Sequence, residues 1–436
     1  MSETKIIKLG ILGFGVVGQG VWKNIKNHEA ALKKELGVTV EIVKAAVKDL
    51  GKSRDIEIPS DKLTDDPASI VNDPSIDIIC ELIGGTTLAK DLTLQALRNG
   101  KIVVTANKAL ICDHGAELFA VAQENDTEYF FEASVAGGIP IIKVLRESLL
   151  ANNILSVVGI LNGTSNYILT RMEKEGLPFE EILKEARALG YVEADEALDL
   201  DGIDAAHKTA IIAYLAHNKW VSIDDMVTEG IRSITTNDID AARRLGFKIK
   251  LLAKITLNTE ENLLSVSVYP SLISTNETLA NVDDVFNGIS ITGDVVGNSV
   301  LIGRGAGQDP TSSSVISDIC DAIKILQGAP KWTHSPSTED NLRIATLDKI
   351  TGTFYMRLIV KDQSGVLAEI TNAMADHDIS IATVLQDEVP NKNIASIILT
   401  THETNEASID KVIKAINALP SCLEEPVLLR IFDNGQ

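Results

Sequence analysis

The 436-residue chain has little cysteine, a deficit of positive charge and no long apolar run. Each shortage removes a class of function. The four cysteines, Cys80, Cys112, Cys320 and Cys422, lie far apart, with no C-x-x-C pair and no histidine at metal-ligand spacing. That pattern excludes a zinc cluster or a disulfide framework and reads as reduced thiols. Lysine plus arginine total 40 against 61 aspartate plus glutamate, for a net charge of −21. So acidic a chain is not expected to take nucleic acid or an anionic membrane as its main partner. No apolar run approaches the roughly 18 residues of a spanning helix, and the first residues carry no signal-type apolar core. A cytoplasmic location is expected. What remains, 45% apolar and 23% charged residues, is ordinary globular composition. The length leaves room for about three domains.

The first third reads as a dinucleotide cradle. "KIIKLGILGFGVVGQGVWKNI" begins with a short apolar strand, turns through glycines, and enters a helical pattern carrying Val17, Val21 and Ile25. A lone G-x-G-x-x-G is weak, but this one follows a strand and opens a helix, the context the fingerprint needs. Gly13 permits the tight turn, Gly15 lets a pyrophosphate approach the backbone, and Gly18 brings helix against strand. The loop Gly13-Phe14-Gly15-Val16-Val17-Gly18 is therefore the expected cofactor site. The next strand, "VTVEIVKAAV", ends at Lys48, where NAD-binding proteins commonly place a carboxylate. A cation there suits a 2′-phosphate, which leans the reading towards NADP over NAD; a solvated charged loop explains it equally well. "IDIICELIG" and "KIVVTAN", with the helix of "LTLQALRNG" between them, extend a Rossmann-type doubly wound parallel sheet. Ligands of such sheets sit beyond the strand C-termini, where Thr105 and Lys108 fall.

The middle of the chain is α+β. Helices dominate from Ile139 to about Gly246, and a hairpin follows from "KIKLLAKITL" to "LLSVSVYP". "EASVAGGIP" joins Glu132 to a glycine-rich bend that can turn carbonyls onto a monovalent cation, or simply lead a strand into a helix. "GILNGTSNYIL" sets Asn162, Gly163 and Thr164 between strand and helix, as caps or as ligand contacts. "GYVEADEALDLDGIDAAHK" crowds Glu193, Asp195, Glu196, Asp199, Asp201 and Asp204 ahead of Lys208. Asp204 and Lys208 are four apart and share one helix face with Ile211, Ile212 and Leu215, while a polar stripe runs through His207, Tyr214, His217 and Asn218. Lys208 is thus expected to point inward and to need compensating carboxylates. Desolvation would bring its pKa towards the range for general acid–base catalysis, with Asp204 orienting it. Carboxylates for an ammonium and a proton donor for an oxygen suit an amino-acid substrate.

Together these segments resemble the homoserine dehydrogenase family, in its longer bacterial form with a regulatory C-terminal domain. The resemblance rests on "GFGVVGQG", "TANKAL", "FEASVAGGIPII", "GILNGTSNYIL", "GYVEADEALDLDGIDAAHK" and "GRGAGQDPT", in that order. It implies NAD(P)-dependent interconversion of homoserine and aspartate 4-semialdehyde, on the route to threonine, methionine and isoleucine. It also implies that Lys208 is the acid/base, Lys108 its partner near the nicotinamide, and Glu193, Asp199 and Asp204 the holders of the substrate amino group and the lysine. Thr164 joins the substrate contacts. Glu132 with the carbonyls of Val135, Gly137 and Ile139 resembles the family's sodium site, and Gly305 would lie back against the cofactor.

The last eighty or so residues alternate as strand, helix, strand, strand, helix, strand. This is a ferredoxin-like βαββαβ arrangement. "VKDQSGVLAEITNAMADHDISI" resembles an ACT domain, a module that pairs and binds amino acids. The helix opening at Gly365 offers amides to a carboxylate, so threonine feedback is implied; a purely dimerising module is the alternative. The expected boundaries are 1–135 for the nucleotide domain, 136–302 for substrate and assembly, 303–330 returning to the first domain, 331–350 as linker, and 351–436 for the ACT domain. A homodimer or homotetramer is expected. The rival from another class is a non-catalytic dinucleotide and amino-acid sensor, which would have no use for both Lys108 and Lys208.

Overall fold

The computed structural model describes residues 5–192, 195–332, 341–388 and 393–432. It divides into two compact units, one of residues 1–152, 210–222 and 301–340, the other of residues 153–209, 223–300 and 341–436. In the first unit, six strands form one sheet: β1 (Ile6–Leu12), β2 (Thr39–Ala46), β3 (Leu63–Thr64), β4 (Ile78–Glu81), β5 (Ile102–Thr105) and β6 (Tyr129–Phe130). Their order is β3-β2-β1-β4-β5-β6 and every pairing is parallel. The order reverses between β1 and β4, which places a crevice at their C-terminal ends. The strands read as apolar runs because helices cover them, burying Leu9, Ile11, Ile78 and Val104 with Val21, Trp22 and Ile25 of the helix Val16–Asn27. Val315, Ile319 and Ile323 of the helix Gln308–Leu326 join that core, so the segment after 303 packs within the first unit. Residues 136–152 also cluster there.

The second unit holds β7 (Ile154–Ile160), β8 (Val227–Thr228), β9 (Phe247–Asn258), β10 (Leu263–Ser274), β11 (Phe286–Gly293), the start of β12 (Gly297–Arg304), β13 (Arg343–Ile344), β14 (Thr351–Lys361), β15 (Ile381–Glu388), β16 (Ile394–Thr401), β17 (Thr404–Asn405) and β18 (Val427–Phe432). The expected hairpin is β9–β10, paired antiparallel from Phe247↔Ser274 to Asn258↔Leu263. The expected βαββαβ order appears as β14, helix Val366–Ala375, β15, β16, helix Glu406–Asn417 and β18. Its core buries Phe354, Met356, Leu358, Ile370, Ile397, Leu399, Ile409 and Val412.

The C-terminal module is less separate than its sequence suggests. β18 pairs in parallel with β10, Ser271 opposite Arg430, so the sheet of the middle region runs on into that of the C-terminal module. An unpaired strand edge is an invitation to pair, and here each sheet closes the other's. The expected linker also contributes: Arg343 and Ile344 form β13 against Leu263 and Leu264, while residues 333–340 lie outside the described residues. A buried ion pair fastens the same boundary. Asp238, fully buried, accepts Arg357 Nε at 2.7 Å and the Tyr355 hydroxyl at 3.1 Å on one oxygen. Its other oxygen takes the Thr235 amide at 2.9 Å and hydroxyl at 2.7 Å, capping the helix Thr236–Arg244. Removing one partner of such a pair costs about 3–5 kcal/mol.

Candidate active site

At the crevice of the first sheet, the glycine loop is a space kept empty. Gly13 has φ +95°, and a Cβ there would stand 2.4 Å from the Leu82 carbonyl oxygen, in the turn that follows β4. A Cβ at Gly18 would stand 2.4 Å from the Gly13 oxygen, whereas one at Gly15 would meet nothing within 4 Å. Gly15 is the N-cap of the helix Val16–Asn27, with no side-chain cap and no acid in the first turn. Open space over uncapped amides fits a pyrophosphate. Phe14 turns its ring into the core against Trp22, 5.9 Å between centroids, which leaves its backbone for a ligand. Val16 is exposed, and Lys48 stands exposed just beyond β2.

The ends of β4 and β5 are locked by a group that sequence reasoning passed over. Glu81, fully buried, accepts the Thr105 hydroxyl at 2.7 Å and the Ile83 amide at 2.9 Å. Burial holds its carboxyl above the usual range against those hydrogen bonds. The Asn107 amide nitrogen donates to the Gly85 carbonyl at 2.7 Å, and its oxygen caps the helix Lys108–Glu124 through the Leu110 amide. Lys108 is thereby the first residue of that helix, at the mouth of the strand ends. The signal was present in "CELIGG", a lone acid at the end of an apolar strand.

The Glu132 bend lies in the same unit. Its two oxygens accept the amides of Ile142 (2.9 Å) and Lys143 (2.7 Å), and its own amide donates to the buried Asp318 at 2.8 Å. Burial raises the Glu132 carboxyl to about 7. Asp318 is pushed well above its normal range by burial and then by the Glu132 charge. Ala136 and Gly137 both have positive φ, and the Gly137 carbonyl accepts the Ser314 hydroxyl at 2.6 Å. A Cβ at Gly137 would stand 2.4 Å from the Gly305 oxygen, so Gly305 backs this bend. Carboxylates have about four acceptor sites and carbonyls two, so the oxygen set of Glu132, Val135, Gly137 and Ile139 retains capacity for a hard cation.

In the second unit, the acidic loop and Lys208 form a network drawn from distant segments. Lys208 points inward, its side chain 11% exposed, with Nζ 2.6 Å from Asp204 Oδ2 and 2.8 Å from the Leu161 carbonyl. Asn162 bridges the two aspartates: its single NH2 donates to Asp199 Oδ1 at 2.8 Å and Asp204 Oδ2 at 3.0 Å. Its carbonyl oxygen accepts the Ser165 amide at 2.7 Å, which caps the helix Gly163–Glu175 and fixes the amide's orientation. The Asn287 NH2 donates to the same Leu161 carbonyl at 3.0 Å. Thr164 gives its hydroxyl proton to the Tyr191 carbonyl at 2.7 Å and has acceptor capacity left for a ligand. Asp195 caps the short helix Glu196–Leu200; Glu193 lies outside the described residues. The expected polar stripe holds for His207, His217 and Asn218, which are half-buried. Tyr214 departs from it: 3% exposed, it stacks on Trp220 at 4.1 Å because an aromatic ring is chiefly an apolar surface.

Neither cofactor-domain cysteine is poised as a nucleophile. Burial pushes Cys80 up to about 12 and Cys112 up to about 11, away from the thiolate. A parallel sheet with an open glycine cradle, together with a lysine–carboxylate network elsewhere in the chain, defines a dinucleotide-dependent oxidoreductase. Comparison with known proteins narrows the class. The chain matches the family models "Homoserine dehydrogenase, NAD binding domain" over residues 13–132, "Homoserine dehydrogenase" over 140–320 and "ACT domain" over 354–421. It is 39% identical over 431 residues to the homoserine dehydrogenase of Neisseria gonorrhoeae, covering 98% of both chains. The crystal structure of a homoserine dehydrogenase from Thiobacillus denitrificans superposes with a TM-score of 0.91 at 39% identity, covering 99% of each chain. A hyperthermophilic archaeal homoserine dehydrogenase mutant solved in complex with NADPH matches with a TM-score of 0.62 at 27% identity, over 74% of this chain and 99% of that one. The chain belongs to the homoserine dehydrogenase family, with a C-terminal ACT domain. The expected fold class and enzyme class stand.

Proposed function

We propose that the chain interconverts L-homoserine and L-aspartate 4-semialdehyde with Lys208 as general acid and base. The observation that carries this is the Lys208 ammonium, held inward by Asp204 and the Leu161 carbonyl within reach of the Asn162–Asp199 network. A protonated amine fixed there donates its proton to an alkoxide as it forms and takes it back in the reverse direction; its charge also favours that oxygen beforehand. Asp199, with Glu193, receives the substrate ammonium, Thr164 accepts a further hydrogen bond, and Asp204 orients the lysine. The bound dinucleotide supplies the hydride chemistry. The loop Gly13-Phe14-Gly15-Val16-Val17-Gly18 with Thr105, Lys108 and Gly305 would hold it, Lys108 at the nicotinamide end. Lys48 favours NADP over NAD by offering charge to a 2′-phosphate, in keeping with the NADPH bound by the archaeal relative. Glu132 and the carbonyls of Val135, Gly137 and Ile139 would hold sodium.

The ACT domain reads an amino acid, and threonine is the effector proposed, which would place the enzyme in threonine, methionine and isoleucine synthesis. The helix Val366–Ala375 begins at Gly365 without a side-chain cap, and although the Val366 amide donates to the Gln363 carbonyl at 3.4 Å, the rest of its first turn can face a carboxylate. The enzyme works as a homodimer or homotetramer in the cytoplasm; none of the described helices is long and apolar enough to span a membrane. The deciding experiment follows homoserine-dependent reduction of NADP and NAD by absorbance. Turnover is expected with both homoserine and dinucleotide present, with NADP the better cofactor, and with inhibition as threonine is titrated. Absence of homoserine-dependent reduction rejects the reading, and threonine without effect rejects the effector alone.

A further inference from the structure

The short helix Glu196–Leu200 carries Asp199 to the substrate network, yet five residues have little helical stability of their own. Something outside must place it. Asp199 is tied from one side by Asn162 and by the Ser165 hydroxyl on its carbonyl at 2.7 Å. The other side is held by residues 228–232, a strap fastened backbone to backbone. The Ile231 amide donates to the Leu200 carbonyl at 2.8 Å. Gly230 presses so closely that a Cβ there would stand 2.0 Å from the Leu200 oxygen and 2.4 Å from Asp201 Cα. Gly202, at φ +82°, faces the Glu229 carbonyl, 3.1 Å from where its Cβ would be, and Arg232 forks onto Asp201.

The strap's far end is held by β10 and by the C-terminal domain. The Glu229 amide donates to the Val268 carbonyl of β10 at 2.8 Å, and its carboxylate accepts Arg430 Nη1 at 2.5 Å. Arg430 sits in β18, 7% exposed, with Nε and Nη2 each 2.9 Å from a Glu406 oxygen and its guanidinium 4.6 Å from the Tyr269 ring centroid. A guanidinium with three directed donors and a stacked face has one orientation available.

We infer that Arg430 is a positioning residue for the reaction: through Glu229 and Gly230 it fixes the backbone of Leu200, and so sets where the Asp199 carboxylate stands. The C-terminal domain is then part of the substrate site's scaffold, and a change at Arg430 reaches Asp199 along the strap. This rests on the reading of Asp199 as a holder of the substrate ammonium.

The test is steady-state homoserine oxidation by the full-length enzyme carrying Glu229→Gln, Arg430→Lys or Gly230→Ala, beside Asp199→Asn. A misplacement on the order of 1 Å costs up to about a hundredfold in a positioned reaction, so Gly230→Ala and Arg430→Lys are expected to raise the homoserine KM by roughly tenfold or more. Glu229→Gln keeps the side chain's size and an acceptor for Arg430 Nη1, with Glu406 still balancing the charge, and is expected to raise it by about threefold. The dinucleotide KM stays within about twofold throughout, since the strap's bonds run to the acidic loop, β10 and β18 rather than to the glycine loop. Should Gly230→Ala fail to fold, the other two variants decide. Homoserine KM unchanged in them while Asp199→Asn raises it overturns the relay and leaves the substrate site standing. If Asp199→Asn itself leaves the homoserine KM unchanged, the reading of the site fails and the inference with it.

Discussion

The glycine loop at residues 13–18 and the network around Lys208 prepare for ligands by opposite means. The loop works by omission: Gly15 has nothing within 4 Å of where a Cβ would be, and the amides behind it are uncapped. A ligand there would meet backbone that other side chains would cover. The Lys208 network is built chiefly of side chains, with Asn162, Asp199, Asp204 and Lys208 linked at 2.6–3.0 Å and the Leu161 carbonyl as a backbone partner. The first is a property of a short stretch, the second of segments brought together by folding. The loop should therefore fail locally and gently when altered, and the network cooperatively.

The largest expected effect breaks the network at its proton. Lys208→Ala should lower kcat by about 10²–10⁴, the usual contribution of a positioned acid or base. Dinucleotide affinity, measured by fluorescence titration, should be unchanged. Wild-type turnover in this variant would remove Lys208 from its role. Asn162→Ala sharpens the point. It leaves both aspartates facing each other without their shared amide, and a buried acceptor stripped of its partner costs about 1–3 kcal/mol. The homoserine KM should rise while Lys208 is still present.

The loop is tested by two alanines that differ only in what they meet. Gly15→Ala places a methyl group in open space, so the thermal midpoint should hold while the dinucleotide KM rises, by about tenfold if one amide contact to phosphate is lost. Gly18→Ala drives a methyl group to 2.4 Å from the Gly13 oxygen. Here stability should fall as well, by about 1–3 kcal/mol as for other overpacked sites. If both variants behave alike, the loop is structural and its emptiness means nothing for ligand.

The same contrast explains what could be read from sequence. The cradle was legible because its logic is local: strand, glycines at fixed offsets, helix. The inward lysine was legible from one helical period, since Asp204 and Lys208 are four apart. What joins them was not. Asn162 reaches Asp199 and Asp204 across 37 and 42 residues, and Leu161 reaches Lys208 across 47, pairings no periodicity encodes. Asn162 presented itself as an ordinary cap, which it is, while its second function depends on fold. Glu81 was hidden in an apolar strand. The junction of β18 with β10 was invisible for the same reason: each strand read correctly alone, but sheet edges carry no sequence mark of which partner they will take.

Lys48 offers a smaller effect that bears on the cradle alone. It stands exposed, so its attraction for a 2′-phosphate is that of a surface pair, up to about 1 kcal/mol. Lys48→Ala should shift the ratio of NADP to NAD efficiency towards NAD by about fivefold, an effect that shrinks as salt is raised. An unchanged ratio would make Lys48 a bystander and move the choice of cofactor elsewhere in the loop.

The subtlest prediction concerns Glu132, which combines both modes, side chain and backbone carbonyls together. Its carboxyl titrates at about 7 when buried, above its normal range. The folded protein therefore holds a proton that the unfolded chain has released, so stability falls as pH rises from the normal carboxylate range towards 7 and then levels. A cation bound there needs the charged form, so sodium and the proton compete. Replacing a bulky organic cation with sodium at equal ionic strength should raise the thermal midpoint at pH 8 and have much less effect at pH 6. With sodium at about ten times its dissociation constant, the gain is about 1.4 kcal/mol, a few degrees at most for a chain of this size. Glu132→Gln should abolish the sodium effect at both pH values while keeping most of the packing. A midpoint that responds to sodium equally at pH 6 and pH 8 would show that the ion acts elsewhere, and the bend would then be only the turn that leads strand into helix.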